Sequence, residues 1–176
     1  AYEVIKNFSV SATFKYLFSD MGRIGNSRGA SSVAFDLGVL YKCEINDWEG
    51  AGWSVGLHVS NLGPKINYLT SKDALPATVK VGGAADLPFL QMHKLTLTAD
   101  LGYRLSPADV QALSVSAGAE YAWRELVMLR GGYHCGDKKK GDASYATAGA
   151  GVEYAGVRLD FAWLFAGHEY LARNTF

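Results

Sequence analysis

The sequence has no apolar run of about 18 residues, so no helix in it can cross a membrane. That excludes a helical membrane protein and leaves strands as the other way across. No basic-then-apolar leader opens the chain. Acidic and basic residues balance at 17 each, so there is no net field to attract nucleic acid or an anionic surface. Cysteine is scarce: Cys43 and Cys135 make no framework and read as two free thiols, which the topology below puts at opposite ends of the fold. The four histidines, His58, His93, His134 and His168, are scattered, without the short spacing of a metal site. No G-x-S-x-G elbow is present, although serine and aspartate are too plentiful for counting alone to decide a Ser-His-Asp arrangement. No glycine-rich loop follows a strand and opens a helix, so nothing points to a nucleotide. No catalytic residue, cofactor or metal is expected.

The sequence is rich in glycine, tyrosine and valine in short alternating segments, which points to an all-β protein in one domain spanning 1–176. The clearest example is Gly118–Tyr133. Leu113, Val115, Ala117, Ala119 and Tyr121 share one face, opposite Ser114, Ser116, Gly118 and Glu120. After a tight turn at Trp123, Arg124 and Glu125, Val127, Leu129, Gly131 and Tyr133 alternate with Met128, Arg130, Gly132 and His134. Such a period of two marks a strand between two different environments.

Seven further segments complete nine strands with the two arms of this hairpin: Asn7–Phe18, Ser32–Lys42, Gly52–Ser60, Ala77–Ala85 and Lys94–Tyr103 before it, and Tyr145–Tyr154 and Val157–Phe165 after it. The connections after the odd-numbered strands are long and those after the even-numbered ones short. In an antiparallel up-and-down barrel these lie at opposite ends, which is the arrangement of outer-membrane barrels with long loops outside the cell. This places Asp20–Ser31, Asn61–Pro76 and Gly136–Ser144 at the outer surface and Ala155–Gly156 in the periplasm.

The polar face carries Ser, Thr and Gly with sparse charges of both signs: Lys15, Asp36, Lys80, Asp100, Glu120, Arg130, Arg158 and Asp160. A solvated outer face carries denser Lys and Glu; small residues and mixed charges suit a crowded lumen. The apolar face carries Tyr or Trp near strand ends, as at Tyr16, Tyr41, Trp53, Tyr103 and Trp123, in the manner of an interfacial girdle. The reading is a transmembrane β-barrel with its apolar face outward; the alternative is a soluble β-barrel with the faces reversed. Nine strands would leave an open edge, which lipid does not tolerate. The chain is therefore expected to be part of a longer barrel, with strands missing before it and a tenth strand beginning near His168.

Within this frame, Asp100, Glu120, Arg130, Arg158 and Asp160 are expected to pair across the lumen, although a direct Glu120–Arg130 pair does not follow from the sequence. Asn61, Leu62, Gly63, Pro64 and Lys65 follow a strand with a Gly-Pro break. They form either a rigid turn at the outer rim or a contact for a partner or cargo. Lys138, Lys139 and Lys140 form a solvated loop tip or touch anionic lipopolysaccharide.

NFSVSATFKYLFSDMG, AFDLGVLYK, VSNLGPKINY, LPATVKVGGA, LTADLGY, GAEYAWRELVMLRGGY and LARNTF occur in this order. Together they resemble the PorV family of outer-membrane proteins, relatives of the FadL-type transporters. The resemblance is most specific at Val59–Lys65 and in Gly118-Ala119-Glu120-Tyr121 followed by Leu129–Tyr133. It implies a FadL-like barrel of about fourteen strands, of which this chain holds about nine or ten. It further implies a non-enzymatic role in type IX secretion: binding cargo C-terminal domains, docking on the SprA translocon barrel and delivering cargo to the PorU sortase. A FadL-like transporter of hydrophobic molecules and a lipopolysaccharide deacylase are the alternatives. A Ser and a His in hydrogen-bond reach at the lipid boundary would favour the last.

Overall fold

The computed structural model describes residues 2–19, 30–67, 72–124 and 126–166. Its strands are β1 (Tyr2–Ile5), β2 (Phe8–Ser19), β3 (Ala30–Glu44), β4 (Gly52–Leu62), β5 (Ile66–Asn67), β6 (Lys72–Asp73), β7 (Thr78–Phe89), β8 (His93–Arg104), β9 (Leu113–Trp123), β10 (Val127–Cys135), β11 (Tyr145–Tyr154) and β12 (Val157–Ala166). All but β5 and β6 form one antiparallel sheet in chain order, the up-and-down wall of a partial β-barrel. Among the described residues its edges are β1 and β12, which have no second neighbour. The nine alternating segments correspond to the nine long strands.

Three differences have physical reasons. The short β1 has only four residues, too few to show a period, and turns into β2 at Lys6 and Asn7, where Asn7 holds φ 72°. The β7 strand runs on through Leu87, Pro88 and Phe89, a stretch expected to be connection; Pro88 sits one residue from the strand end, where a missing N–H costs little. Within the longest connection, β5 and β6 pair as a minimal hairpin.

At one end, the loop end, β2 stops at Ser19 and β3 starts at Ala30, β4 stops at Leu62 and β7 starts at Thr78, and the connections 105–112 and 136–144 lie there too. At the other, turn end the connections are two or three residues long, apart from the seven of 45–51 between β3 and β4. Ala155 and Gly156 both hold positive φ, the backbone twist that a two-residue hairpin turn needs, and Leu90 and Gln91 hold it within the three-residue connection 90–92. These turns are also tied to one another: Lys42 N–H donates to the Asn7 carbonyl, Trp48 Nε1–H to Pro88, Arg124 N–H to Met92 and Glu153 N–H to Leu126, all at 2.7–2.8 Å.

The wall is inside out. Along β9, the apolar Leu113, Val115, Ala117 and Ala119 are exposed while Ser114, Ser116, Gly118 and Glu120 are more enclosed. Phe14, Leu37, Leu101, Leu129 and Leu159 are between 44% and 72% exposed, and among the described residues no large side chain is fully buried. Removing a side chain of this kind from water is worth about 1.5–3 kcal/mol, so this face calls for an apolar surrounding.

The polar face is concave. A hollow of about 560 Å³ lies against it, lined among others by Ser11, His58, Lys80, Thr98 and Asp100. Six of its glycines, Gly38, Gly82, Gly102, Gly118, Gly132 and Gly151, stand directly opposite Ser11, Asp100, Ser114, Thr98, Thr147 and Asp160. Each of these polar side chains lies down over the facing glycine; a Cβ added at Gly38, Gly102 or Gly151 would meet the oxygen at 2.6–2.7 Å.

Candidate functional site

The Asn61–Lys65 motif begins inside β4. Leu37 pairs with Val59 but Phe35 with Leu62, so β4 carries one more residue than β3 over this interval, a β-bulge. Asn61 takes the left-handed conformation there, at φ 56°, which asparagine tolerates better than most residues. Its N–H donates to Asp36 Oδ1 at 2.8 Å. Lys15 Nζ bridges the group, 2.6 Å from Asp36 Oδ2 and 3.2 Å from Asn61 Oδ1, while Asn61 Nδ2 donates to the Pro76 carbonyl at 3.2 Å. Asp36 is largely buried, and this partner set satisfies it.

Beyond the bulge the chain presses back onto β3. A Cβ at Gly63 would collide with the Val33 carbonyl and Leu75, so only glycine fits; Ser32 Oγ–H donates to the Pro64 carbonyl at 3.2 Å. The five residues thus have different roles. Asn61 and Gly63 are consumed by the architecture, while Leu62, Pro64 and Lys65 present exposed side chains at the loop end. Lys15, Ser32 and Asp36 belong to this site and are not legible as such in the sequence, because they sit on strands far away in the chain.

The lumen charges divide. Glu120, Arg130, Asp160 and Arg158 form one network towards the turn end. Arg130 Nε–H donates to Glu120 directly opposite it on β9, and Arg130 Nη1–H reaches over Gly151 of β11 to Asp160 on β12. Arg158 Nε–H donates to Asp160 Oδ2 at 2.7 Å and Arg158 lies 3.6 Å from Glu153. The direct Glu120–Arg130 pair arises because the connection at 124–126 puts Trp123 opposite Val127, which makes the two charges partners. Asp100 stands apart from this network, lying over Gly82 in the hollow.

A third cluster joins β9, β10 and the loop beyond. Ser116 Oγ is 2.9 Å from His134 Nδ1, and His134 Nε2 is 2.9 Å from Asp142 Oδ1. With the proton on Nε2, the Ser116 hydroxyl donates to Nδ1 and Nε2–H donates to the carboxylate. Ser and His are in reach of one another, but on the polar face, not at the apolar boundary. Ser116 lies in mid-ladder, between Asp100 and His134, where backbone N–H groups are spent on neighbouring strands and no paired donors stand ready for an oxyanion. Among the described residues no group of three or more His, Cys, Asp or Glu converges as metal ligands. His168 and the LARNTF segment lie outside the described residues. Lys138–Lys140 form a single 3-10 turn in the loop between β10 and β11, with Lys138 and Lys139 exposed.

None of the curated proteins compared with the chain matches it. The family model described as Type IX secretion system protein PorV matches residues 1–111. That span holds the Lys15–Asp36–Asn61 bulge, the Gly-Pro motif and the strands that line the hollow, together with the first five of the seven segments quoted above. The chain belongs to the PorV family of type IX secretion system proteins.

Proposed function

We propose that the chain is a non-enzymatic outer-membrane component of type IX secretion that binds the C-terminal signal domain of cargo and passes it from a SprA-type translocon to a PorU-type sortase. The observation that carries this reading is an inside-out wall in a member of the PorV family. The exposed Leu, Val, Phe and Tyr face suits lipid, with the long connections outside the cell and the tight turns in the periplasm. In lipid, unpaired N–H and C=O groups on β1 and β12 would cost several kcal/mol each. The reading therefore takes this wall as part of a larger closed barrel. Leu62, Pro64 and Lys65, on a motif pinned to β3, are the proposed partner contact, and the Lys138–Lys140 turn is proposed to meet the anionic groups of lipopolysaccharide.

The test is purification in mild detergent from the native membrane, with mass spectrometry of what accompanies the protein. The expected result is recovery with a much larger barrel and with cargo carrying the signal domain. Recovery of the protein alone with a stoichiometric fatty acid would replace this reading by that of a FadL-like transporter, for which the hollow against the polar face offers room.

A further inference from the structure

We infer that the apolar face carries a phospholipid site at the turn end of β8 and β9, where Arg124 and His93 hold the headgroup phosphate. The inference rests on the reading of that face as lipid-facing. Trp123 and His93 stand directly opposite one another, both on the apolar side of the wall. The Arg124 guanidinium carbon lies 5.5 Å from the centroid of the Trp123 ring, so its charge is carried out onto that side. Two contacts to Met92, in the facing turn, fix it there. The Arg124 N–H donates to the Met92 carbonyl at 2.7 Å, and Nε–H donates to the Met92 sulfur at 3.0 Å.

Sulfur is a weak acceptor, and among the described residues no carboxylate meets Arg124. The cations of the polar face differ: Lys15, Lys94, Arg130 and Arg158 each hold a carboxylate. A guanidinium at the edge of an apolar phase keeps its charge, so it calls for an anion from outside the chain. His93 adds a second donor. Its Nδ1 lies 2.6 Å from the Tyr121 hydroxyl; with that hydroxyl donating, the proton is on Nε2, which has no partner among the described residues. The Phe89 ring stacks on His93 at 5.5 Å and the Tyr121 ring lies 5.8 Å from it, an aromatic plate of the kind that sits at headgroup level. Towards mid-wall, Leu97, Val115 and Leu129 continue the exposed apolar face. A free phosphate would use the two donors and leave this face bare. A glycerophospholipid uses both, its phosphate on Arg124 and His93 and its acyl chains along β8, β9 and β10. In the orientation proposed above, the site lies in the periplasmic leaflet.

The test uses the protein purified in mild detergent and counts bound lipid by native mass spectrometry, during titration with phosphatidylglycerol or with diacylglycerol of the same acyl chains. Phosphatidylglycerol should be retained, one per chain, at about tenfold lower concentration, the effect of gaining one charge-assisted hydrogen bond. Arg124→Gln should abolish that preference, and His93→Phe, which keeps a ring beside Phe89, should reduce it. A preference unchanged in both variants would overturn the roles of the two residues. Equal retention of the two lipids by the parent, a comparison that needs no variant to fold, would overturn the headgroup site and leave the face in lipid. Retention of neither would overturn the lipid-facing reading along with the site. Inorganic phosphate bound as tightly as phosphatidylglycerol would overturn the assignment to a lipid.

Discussion

The carboxylate of Asp36 accepts the N–H of Asn61 at 2.8 Å, the amide that the bulge in β4 turns out of the ladder. An amide left without a partner there, beside a lysine left without its counter-charge, makes Asp36→Ala more disruptive than its position on one strand suggests. The variant should lose its folded, heat-modifiable band on a gel at a lower temperature than the parent. Asn61→Gly keeps the left-handed backbone and the N–H and should fall between the two, whereas Asn61→Val, a β-branched residue at φ 56°, should cost about 1–3 kcal/mol. Gly63→Ala, pressed against a carbonyl that cannot rotate away, should cost a similar amount, about 1–3 kcal/mol.

The two faces of β8 should respond oppositely to charge. Ala99 points outward in mid-strand and Thr98, next to it, points into the hollow. If the apolar face meets lipid, Ala99→Arg should weaken folding into vesicles by about 2–4 kcal/mol, as charge at a bilayer midplane does. Thr98→Arg should cost much less. Equal effects would place the apolar face elsewhere than in lipid.

The turn at Ala155 and Gly156 is strained at its first residue. Ala155 sits at φ 51° without the freedom glycine has. Ala155→Gly should therefore stabilise the β11–β12 hairpin by up to about 1–2 kcal/mol, less the entropy glycine returns to the unfolded chain. Gly156→Ala, at φ 78°, should do the reverse, and hydrogen exchange of the neighbouring amides reads both.

The cysteines report orientation. Cys43 is at the turn end of β3 and Cys135 at the loop end of β10. A membrane-impermeant thiol reagent on whole cells should reach Cys135 and leave Cys43 untouched. Labelling of Cys43 alone would invert the proposed orientation.

The strands were legible because one face repeats every second residue, and Leu113 through Tyr121 is enough to show it. The sorting of loops to one end followed from chain lengths alone. What could not be read is register. The bulge at Asn61 is a miscount between β3 and β4, visible only when Leu37 is known to face Val59. The same holds for Glu120 and Arg130, whose partnership depends on the residues spent in the turn between them. The Ser116–His134–Asp142 cluster needs two registers and a loop fold at once. Its residues are ordinary in the sequence, and His134 was only one of four scattered histidines.

The side chains laid down over Gly38, Gly82, Gly102, Gly118, Gly132 and Gly151 also set a dimension. In a curled wall, clear bore depends on how far side chains stand up from the backbone as well as on strand number. At these six places the opposite residue reclines because nothing stands beneath it. A methyl group at Gly38 would displace Ser11 Oγ, 2.6 Å away, and crowd the His58 ring at 3.2 Å, so the serine would stand upright in the hollow. The depth of the hollow against this face is thus set by glycine positions, and small changes there would make it shallower.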